Sequence, residues 1–177
     1  MNKKISIGVC GGIAIYKICE LISLLKKANI ESQVIMTKSA CEFVSPLLFK
    51  TISCNQVYTD AFNYSDIEPL HIKLAMNSDL FLIAPATASI IGKIANGISD
   101  DLLSSTVCAF NKKLLIAPSM NVNMWNNPIT QKNIQTLKEF LKVEIIEPEE
   151  GNLACGKGVG RLSRVEVIFE NIKKNLI

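Results

Sequence analysis

The stretch ISIGVCGGIA, residues 5–14, predicts how this chain begins to fold. Its first half has the apolar character and length of a buried parallel strand, and a helical apolar pattern follows the Gly11-Gly12 pair to about Asn29. A strand, a glycine turn and a helix N-terminus form an anion site, because free backbone N–H groups and the helix dipole point at the ligand. The spacing is not the G-x-G-x-x-G of dinucleotide-binding domains.

The strand-then-helix pattern of this first segment repeats along the chain. The predicted strands after the first are 32–36, 56–58, 80–84, 113–117 and 143–146, and the predicted later helices are 39–43, 46–49, 68–76, 90–96, 102–110, 128–141 and 164–176. Such alternation is typical of a three-layer α/β fold, flavodoxin-like or Rossmann-like, with a parallel sheet of about six strands and helices on both faces. We expect one domain spanning residues 1–177.

Composition narrows the class of protein. A chain of 177 residues with 49% hydrophobic composition can bury a single-domain core. The net charge of +3 is too mild to predict nucleic-acid binding, and no apolar run is long enough for a membrane span or a secretory leader. Six cysteines without a C-x-x-C pair predict free, mostly buried thiols in a reducing cytoplasm. A single histidine and scattered carboxylates match no metal-site spacing, so no metal is expected.

The second predicted strand ends in Thr37-Lys38-Ser39, where a dinucleotide fold places an acid that holds a ribose. Two hydroxyls and a cation favour a phosphate instead, so a mononucleotide such as FMN fits better than NAD. The alternative is that Ser39 is only the N-cap of the short helix ending at Phe43. After the strand at 80–84, the hydroxyls of Thr87 and Ser89 can likewise cap a helix or hold a phosphate or flavin edge.

His71 is the one histidine of the chain and lies in the first turn of a helix opened by Pro69. The helix dipole disfavours an imidazolium there, so a neutral ring that accepts a proton is one interpretation. A purely structural histidine is the other.

The octet PSMNVNMW, residues 118–125, begins where a buried strand reaches the carboxyl edge of the sheet, which is where ligands bind in open α/β folds. Its two methionines, two asparagines and single tryptophan suit a flat ring or an amide-bearing substrate. The alternative is a turn with a capping asparagine and a packed tryptophan.

Residues 149–162 hold four of the nine glycines, which predicts a tightly turning or mobile loop that could act as a lid. Cys155 lies in this loop near Lys157 and Arg161, where a thiol is exposed and reactive. The alternative is an ordinary exposed cysteine.

Over nearly its full length the chain resembles the homo-oligomeric flavin-containing cysteine decarboxylases. The motifs that carry the resemblance are Gly11-Gly12-Ile13-Ala14, Met36-Thr37-Lys38-Ser39-Ala40, His71-Ile72 with Leu74-Ala75, Pro85-Ala86-Thr87-Ala88, Pro118-Ser119-Met120-Asn121 with Met124-Trp125, and Ala154-Cys155-Gly156.

The resemblance implies an FMN cofactor and a set of site residues. By it, His71 is the active-site base, Cys155 the proton donor on a loop that covers the substrate, and Asn121 the amide that grips the substrate. Further substrate contacts are implied for Met124, Asn152, Ala154 and Leu162, and cofactor contacts for Gly11, Gly12, Ile13, Thr37, Ser39, Phe43, Thr87, Ala88, Ser89, Ile90 and Ser119. It also implies a homotrimer, or a dodecamer built from such trimers, with FMN at a subunit interface; which subunit supplies His71 stays open.

Within the family, peptide-modifying members read Ser-Ala-Asn-Thr where this chain has Thr87-Ala88-Ser89-Ile90, so the contact of that asparagine does not carry over. This difference points to the coenzyme A branch. The implied reaction is that of a carboxy-lyase: FMN-dependent decarboxylation of 4'-phosphopantothenoylcysteine to 4'-phosphopantetheine, by thiol oxidation, loss of CO2 and re-reduction of the enethiol. Because the sequence stops at Ile177, we expect a decarboxylase without a fused synthetase.

Three rival functions follow from related proteins. A peptidyl-cysteine decarboxylase of the lantibiotic type would stop at the enethiol, and Cys155 argues against it. A flavin prenyltransferase needs a dimethylallyl phosphate site, and the Met-Asn-x-x-Met-Trp pattern argues otherwise. A non-enzymatic, phosphatase-binding flavoprotein would carry a long acidic tail, which this sequence lacks. For the substrate phosphate, Lys157 and Arg161 are candidates from charge alone.

Overall fold

A six-stranded parallel sheet organises the chain in the computed structural model, which describes residues 3–62, 68–140, 142–153 and 156–176. Its strands are β1 Lys4–Val9, β2 Glu31–Met36, β3 Val57–Tyr58, β4 Leu80–Ala86, β5 Lys113–Pro118 and β6 Val143–Ile145. They lie in the order β3-β2-β1-β4-β5-β6, with every pair parallel. The predicted α/β architecture and parallel sheet are therefore confirmed.

Helices cover both faces of this sheet. They are α1 Lys17–Lys27, α2 Lys38–Phe43, α3 Pro46–Ser53, α4 Leu70–Met76, α5 Ala88–Ala95, α6 Leu102–Ala109, α7 Val122–Trp125, α8 Pro128–Lys138 and α9 Val165–Leu176, with a 3-10 turn Ile13–Tyr16 before α1. One buried cluster lies under α1, α3 and α9, and the other under α4, α5, α6 and α8. No helix in these described parts is both long enough and apolar enough to cross a membrane.

The central strands feed both buried clusters because successive side chains of a strand point to opposite faces. In β4, Leu82 belongs to the cluster under α1 and α9, and its neighbours Phe81 and Ile83 belong to the other. This explains why β4 is apolar throughout, as the sequence predicted. Gly8 in β1 allows α6 to approach closely, since a Cβ there would lie 2.5 Å from Cδ1 of Leu103.

The glycine-rich segment differs from the prediction. Instead of a loop, it forms an antiparallel hairpin of β7 Glu149–Leu153 and β8 Gly156–Arg161. Three glycines of β8 have positive φ angles, 107° at Gly156, 152° at Gly158 and 140° at Gly160. They therefore shape an irregular strand rather than interrupt it.

The expectation that the cysteines are mostly buried also needs correction, because Cys54 and Cys108 are exposed.

Candidate functional site

The loops that follow β1, β2, β4 and β5 meet at the carboxyl edge of the sheet and enclose two adjoining cavities that share Thr87. The central cavity, about 250 Å³, is lined by Gly11, Gly12, Ile13, Thr87, Ser119, Met120, Asn121, Met124 and Leu153. The hydroxyl cavity, about 300 Å³, is lined by Cys10, Thr37, Lys38, Ser39, Thr87, Ser89, Ile90, Lys93 and Asp101.

Gly11 brings the loop after β1 against the loop after β2. A Cβ on Gly11 would lie 2.8 Å from three atoms of Ser39, so a larger residue would push these two loops apart. At Gly12, in contrast, a Cβ would meet no atom within 4 Å. The glycine pair therefore joins two loops at its first position and leaves open space at its second.

The hydroxyl cavity is built on two helix N-termini. The N–H of Ala40 donates to Oγ1 of Thr37 at 3.2 Å, so Thr37 caps α2, and the suggestion that Ser39 is the cap is wrong. The Ser39 hydroxyl lies 3.1 Å from Oγ1 of Thr37. Thr87 caps α5 in the same way, accepting from the N–H of Ile90 at 3.4 Å. Hydroxyls and helix dipoles thus converge on one small volume, which suits an anionic group.

Two charged residues of this cavity, Lys93 and Asp101, are already paired. Nζ of Lys93 lies 2.6 Å from Asp100 and 2.8 Å from Asp101. The hydrogen bonds from Asp100 and Asp101 raise the pKa of Lys93. Burial raises the pKa of Asp101, but hydrogen bonds from Lys93 and Ser104 outweigh it and hold this pKa below its usual value. An anion entering the cavity therefore meets no unpaired carboxylate among its lining residues.

Cys10 is not a nucleophile in this setting. Its side chain is buried, and that burial raises its pKa to about 12, even though a hydrogen bond with Thr87 acts in the opposite direction. The thiol stays protonated at neutral pH. The hydroxyl cavity is therefore built for binding rather than for covalent chemistry.

The octet after β5 combines the two interpretations of its sequence. Asn121 caps α7, with its Oδ1 accepting from the N–H of Asn123 at 2.8 Å, and Trp125 is packed in the core with 8% exposure. For the tryptophan, the alternative interpretation is therefore correct: Trp125 is a packed core residue and does not line the central cavity. Met124, at 48% exposure, and Asn121 do line the central cavity.

A third space, the hairpin cavity of about 380 Å³, lies between the 3-10 turn and the hairpin. It shares Ile13, Ser119 and Leu153 with the central cavity. Two predicted substrate residues, Asn152 and Leu162, line it. The other two residues predicted on this segment, Ala154 and Cys155, lie outside the described residues.

Three predicted site residues line none of these three cavities. Phe43 is 52% exposed at the end of α2, and Ala88 is the first residue of α5. His71 is half-buried on α4, which packs against α6.

Two residues that line the hairpin cavity, Lys17 and Leu153, were not predicted from the sequence. The position of Lys17 in the first turn after the glycine pair was a usable signal. Among the described residues, no group of three or more His, Cys, Asp or Glu could hold a metal.

Comparison with known proteins gives a consistent picture. The family model described as Flavoprotein matches residues 1–177. The coenzyme A biosynthesis bifunctional protein CoaBC of Bacillus subtilis (strain 168) is 46% identical over 98% of this chain, which spans 43% of that relative. The chain thus covers less than half of that protein. A probable phosphopantothenoylcysteine decarboxylase of Streptococcus mutans is 39% identical over 99% of this chain and 100% of the relative.

Solved structures share the fold over nearly the whole chain. A variant of a PPC decarboxylase in complex with pantothenoylaminoethenethiol has a TM-score of 0.86 and 29% identity, covering 98% of both chains. The FMN-dependent cysteine decarboxylase SpaF has a TM-score of 0.85 and 27% identity, covering 99% of this chain and 98% of its own.

Proposed function

The chain belongs to the Flavoprotein family, and from that membership we propose that it uses FMN to decarboxylate 4'-phosphopantothenoylcysteine to 4'-phosphopantetheine in coenzyme A biosynthesis. The observation that carries the proposal is that the central and hydroxyl cavities lie side by side, with Thr87 lining both. The name of the relative from Bacillus subtilis supports the pathway, and the name of the relative from Streptococcus mutans supports the substrate. We propose that residues 1–177 act as one flavoprotein unit.

The residues present fit FMN. Ile13, Met120 and Met124 give the central cavity apolar walls that suit a flavin ring, and the space at Gly12 permits close approach to backbone. The hydroxyl cavity, with Thr37, Ser39 and Ser89, suits the phosphate end. Bound there, FMN supplies reversible two-electron transfer.

The side chains of this protein must solve a specific chemical problem. A cysteine carboxylate has no electron sink at its β-carbon, so direct loss of CO2 would leave an unstabilised carbanion. Oxidation of the thiol to a thioaldehyde creates the sink, and reduction after decarboxylation leaves a plain thiol with no net redox change. We assign proton removal to His71 and the final protonation to Cys155. Asn121, whose Oδ1 caps α7, orients the carboxylate through hydrogen bonds.

The position of His71 supports a shared site. It lines none of the three cavities of its own chain, so we propose a homotrimer, or a dodecamer built from such trimers, in which one subunit brings His71 to the cavity of another. Large apolar side chains near the glycine turn support this assembly, since Ile13 is 64% and Tyr16 63% exposed. Free cysteines and the nature of the substrate lead us to place the enzyme in the cytoplasm.

The test is anaerobic turnover of 4'-phosphopantothenoylcysteine by the purified yellow protein, with the product identified by mass. The wild type is expected to release 4'-phosphopantetheine, and Cys155→Ser a species two hydrogens lighter. If the wild type leaves this substrate untouched but decarboxylates a peptide with a C-terminal cysteine, the peptide-modifying function replaces the proposal.

A further inference from the structure

Two cations from distant parts of the chain meet at the hairpin cavity. Lys17 is the first residue of α1 and Arg161 the last residue of β8, and both line this cavity beside Ser119 and Asn152. Within the described ranges, neither forms a salt bridge, whereas Arg164 pairs with Glu149 at 3.0 Å. The carboxylate of Glu149 is thus already engaged by another arginine.

The hairpin itself positions Arg161. A Cβ on Gly151 of β7 would lie 3.1 Å from Cδ and 3.2 Å from Nη1 of Arg161, so this side chain runs across the glycine of the neighbouring strand. Any larger residue at position 151 would crowd that path. The Arg161 side chain therefore lies close over Gly151, and a larger residue there would make it shift slightly.

The lowered pKa of Lys17 is consistent with a cationic site that lacks its anion. Burial and, next, the charge of Arg161 lower the pKa of Lys17, while the carboxylates of Glu149, Glu166 and Glu20 act in the opposite direction without reversing the shift. Two cations that repel each other at a cavity wall are stabilised by an anion placed between them. A phosphate dianion suits this pair, because arginine can donate two parallel hydrogen bonds and lysine adds a point charge.

The arrangement of the three cavities separates this anion from the cofactor phosphate. The hairpin cavity adjoins the central cavity along Ile13, Ser119 and Leu153, and the hydroxyl cavity adjoins it at Thr87. The hairpin and hydroxyl cavities share no lining residue. A substrate whose reacting end occupies the central cavity therefore has a second, cationic space for its far end.

We propose that Lys17 and Arg161 bind the phosphate of the substrate and so select phosphorylated over unphosphorylated cysteine conjugates. This inference rests on the proposed function, because it assumes that the reacting cysteine end occupies the central cavity. Lys157, the other cation that its charge suggested for this role, is exposed on β8 and does not line the hairpin cavity.

The experiment compares kcat/KM of the holoenzyme for 4'-phosphopantothenoylcysteine and for pantothenoylcysteine, which lacks the phosphate. The wild type is expected to prefer the phosphorylated substrate, and Lys17→Gln combined with Arg161→Gln to reduce that ratio roughly ten-fold or more, mainly through KM. Lys17→Arg keeps the charge and is expected to keep the preference. Lys157→Gln is the matched control on the same hairpin and should leave the ratio unchanged. FMN content per subunit should be equal in all four proteins.

Three results would overturn the inference while leaving the proposed function intact. The first is a wild type with equal kcat/KM for the two substrates, and the second is a double variant that loses activity on both substrates equally or loses FMN. The third is a substrate ratio that falls only in Lys157→Gln. A wild type that decarboxylates neither conjugate contradicts the proposed function itself, and this is visible without any variant.

Discussion

The backbone N–H of Met120 donates a hydrogen bond of 2.9 Å to the carbonyl oxygen of Gly160. This bond ties the loop after β5, which carries Ser119 and Asn121, to the hairpin that walls the hairpin cavity. Gly158 makes a second close approach, since a Cβ there would lie 2.8 Å from Cγ2 of Val122. The hairpin is thus seated on the octet through two glycines of β8.

Gly160→Ala is expected to displace the hairpin. The φ of 140° at this position is one that residues with a side chain avoid, and the added Cβ would overlap the carbonyl oxygen of Met120. We expect a loss of about 1–3 kcal/mol in the free energy of unfolding and a fall in kcat/KM, measured by urea unfolding and turnover. Gly92→Ala in α5 is the control, because its Cβ would lie 3.5 Å from Nδ2 of Asn133. Equal stability of the two variants would show that β8 is not held by this contact.

Gly11→Ala is expected to weaken FMN binding by separating two loops rather than by blocking the ligand. The new Cβ would lie 2.8 Å from Ser39 backbone and side-chain atoms, so the protein should be destabilised even when FMN has been removed. The measurements are unfolding of the FMN-depleted protein and the Kd for FMN. Gly12→Ala separates the two effects: its Cβ meets no protein atom within 4 Å, so the FMN-depleted form should keep wild-type stability. Destabilisation by both substitutions would contradict this division of roles.

The sheet was predictable because its central strands, such as β4 and β5, are apolar runs that end at recognisable turns. β4 is buried along its whole length, and the helices after β2 and β4 begin at capping hydroxyls, as the sequence indicates. The choice between Thr37 and Ser39 as the cap was not predictable, because adjacent hydroxyls compete and the backbone angles decide between them.

The hairpin, and the place of His71 relative to the cavities, could not be derived from the sequence, for different physical reasons. Glycines such as Gly158 usually mark turns, and only the contact with Val122 explains why one stands inside a strand. The motif around His71 marked it as a candidate site residue. Whether it reaches a cavity of its own chain depends on how α4 packs against α6, and no local pattern encodes that packing. Residue types were therefore easier to predict than the cavity that each residue reaches.

Asp101→Asn tests the ion pair with Lys93 at the hydroxyl cavity. Asparagine can still cap α6, so the substitution removes mainly the charge. Because the pKa of Asp101 is lowered in the folded state, its contribution is present above the unfolded pKa and is lost as the pH falls through the folded pKa, below the ordinary 3.8. We expect the variant to be less stable by about 0.5–1 kcal/mol at neutral pH.

Urea unfolding of wild type and Asp101→Asn across the acidic range measures this difference, which should shrink to nothing once Asp101 is protonated in the folded protein. Glu139→Gln is the control, because Glu139 is exposed and forms no salt bridge with a described residue. A stability difference that stays constant with pH would mean that the charge of Asp101 contributes nothing.

Thiol labelling should separate Cys10 from Cys54. Cys10 is 1% exposed with a pKa of about 12, whereas Cys54 is exposed at the end of α3. Brief treatment of the native protein with iodoacetamide, followed by peptide mass mapping, is expected to modify Cys54 and leave Cys10 intact. Both should react after unfolding in urea. Modification of Cys10 in the native state at the rate of Cys54 would show that the hydroxyl cavity opens far more readily than its packing indicates.

Mixed oligomers can decide which subunit supplies His71. His71→Ala and Asn121→Ala are each expected to abolish turnover, since the first removes the proposed base and the second the amide at the central cavity. If His71 acts across an interface, a co-expressed mixture contains sites with an intact Asn121 from one subunit and an intact His71 from its neighbour. With random assembly about one quarter of the sites are complete, so roughly that share of wild-type activity should return. If His71 served its own subunit, every site would lack one residue and the mixture would stay inactive. Turnover of the mixture against each variant alone, at equal FMN content, therefore tests the shared site directly.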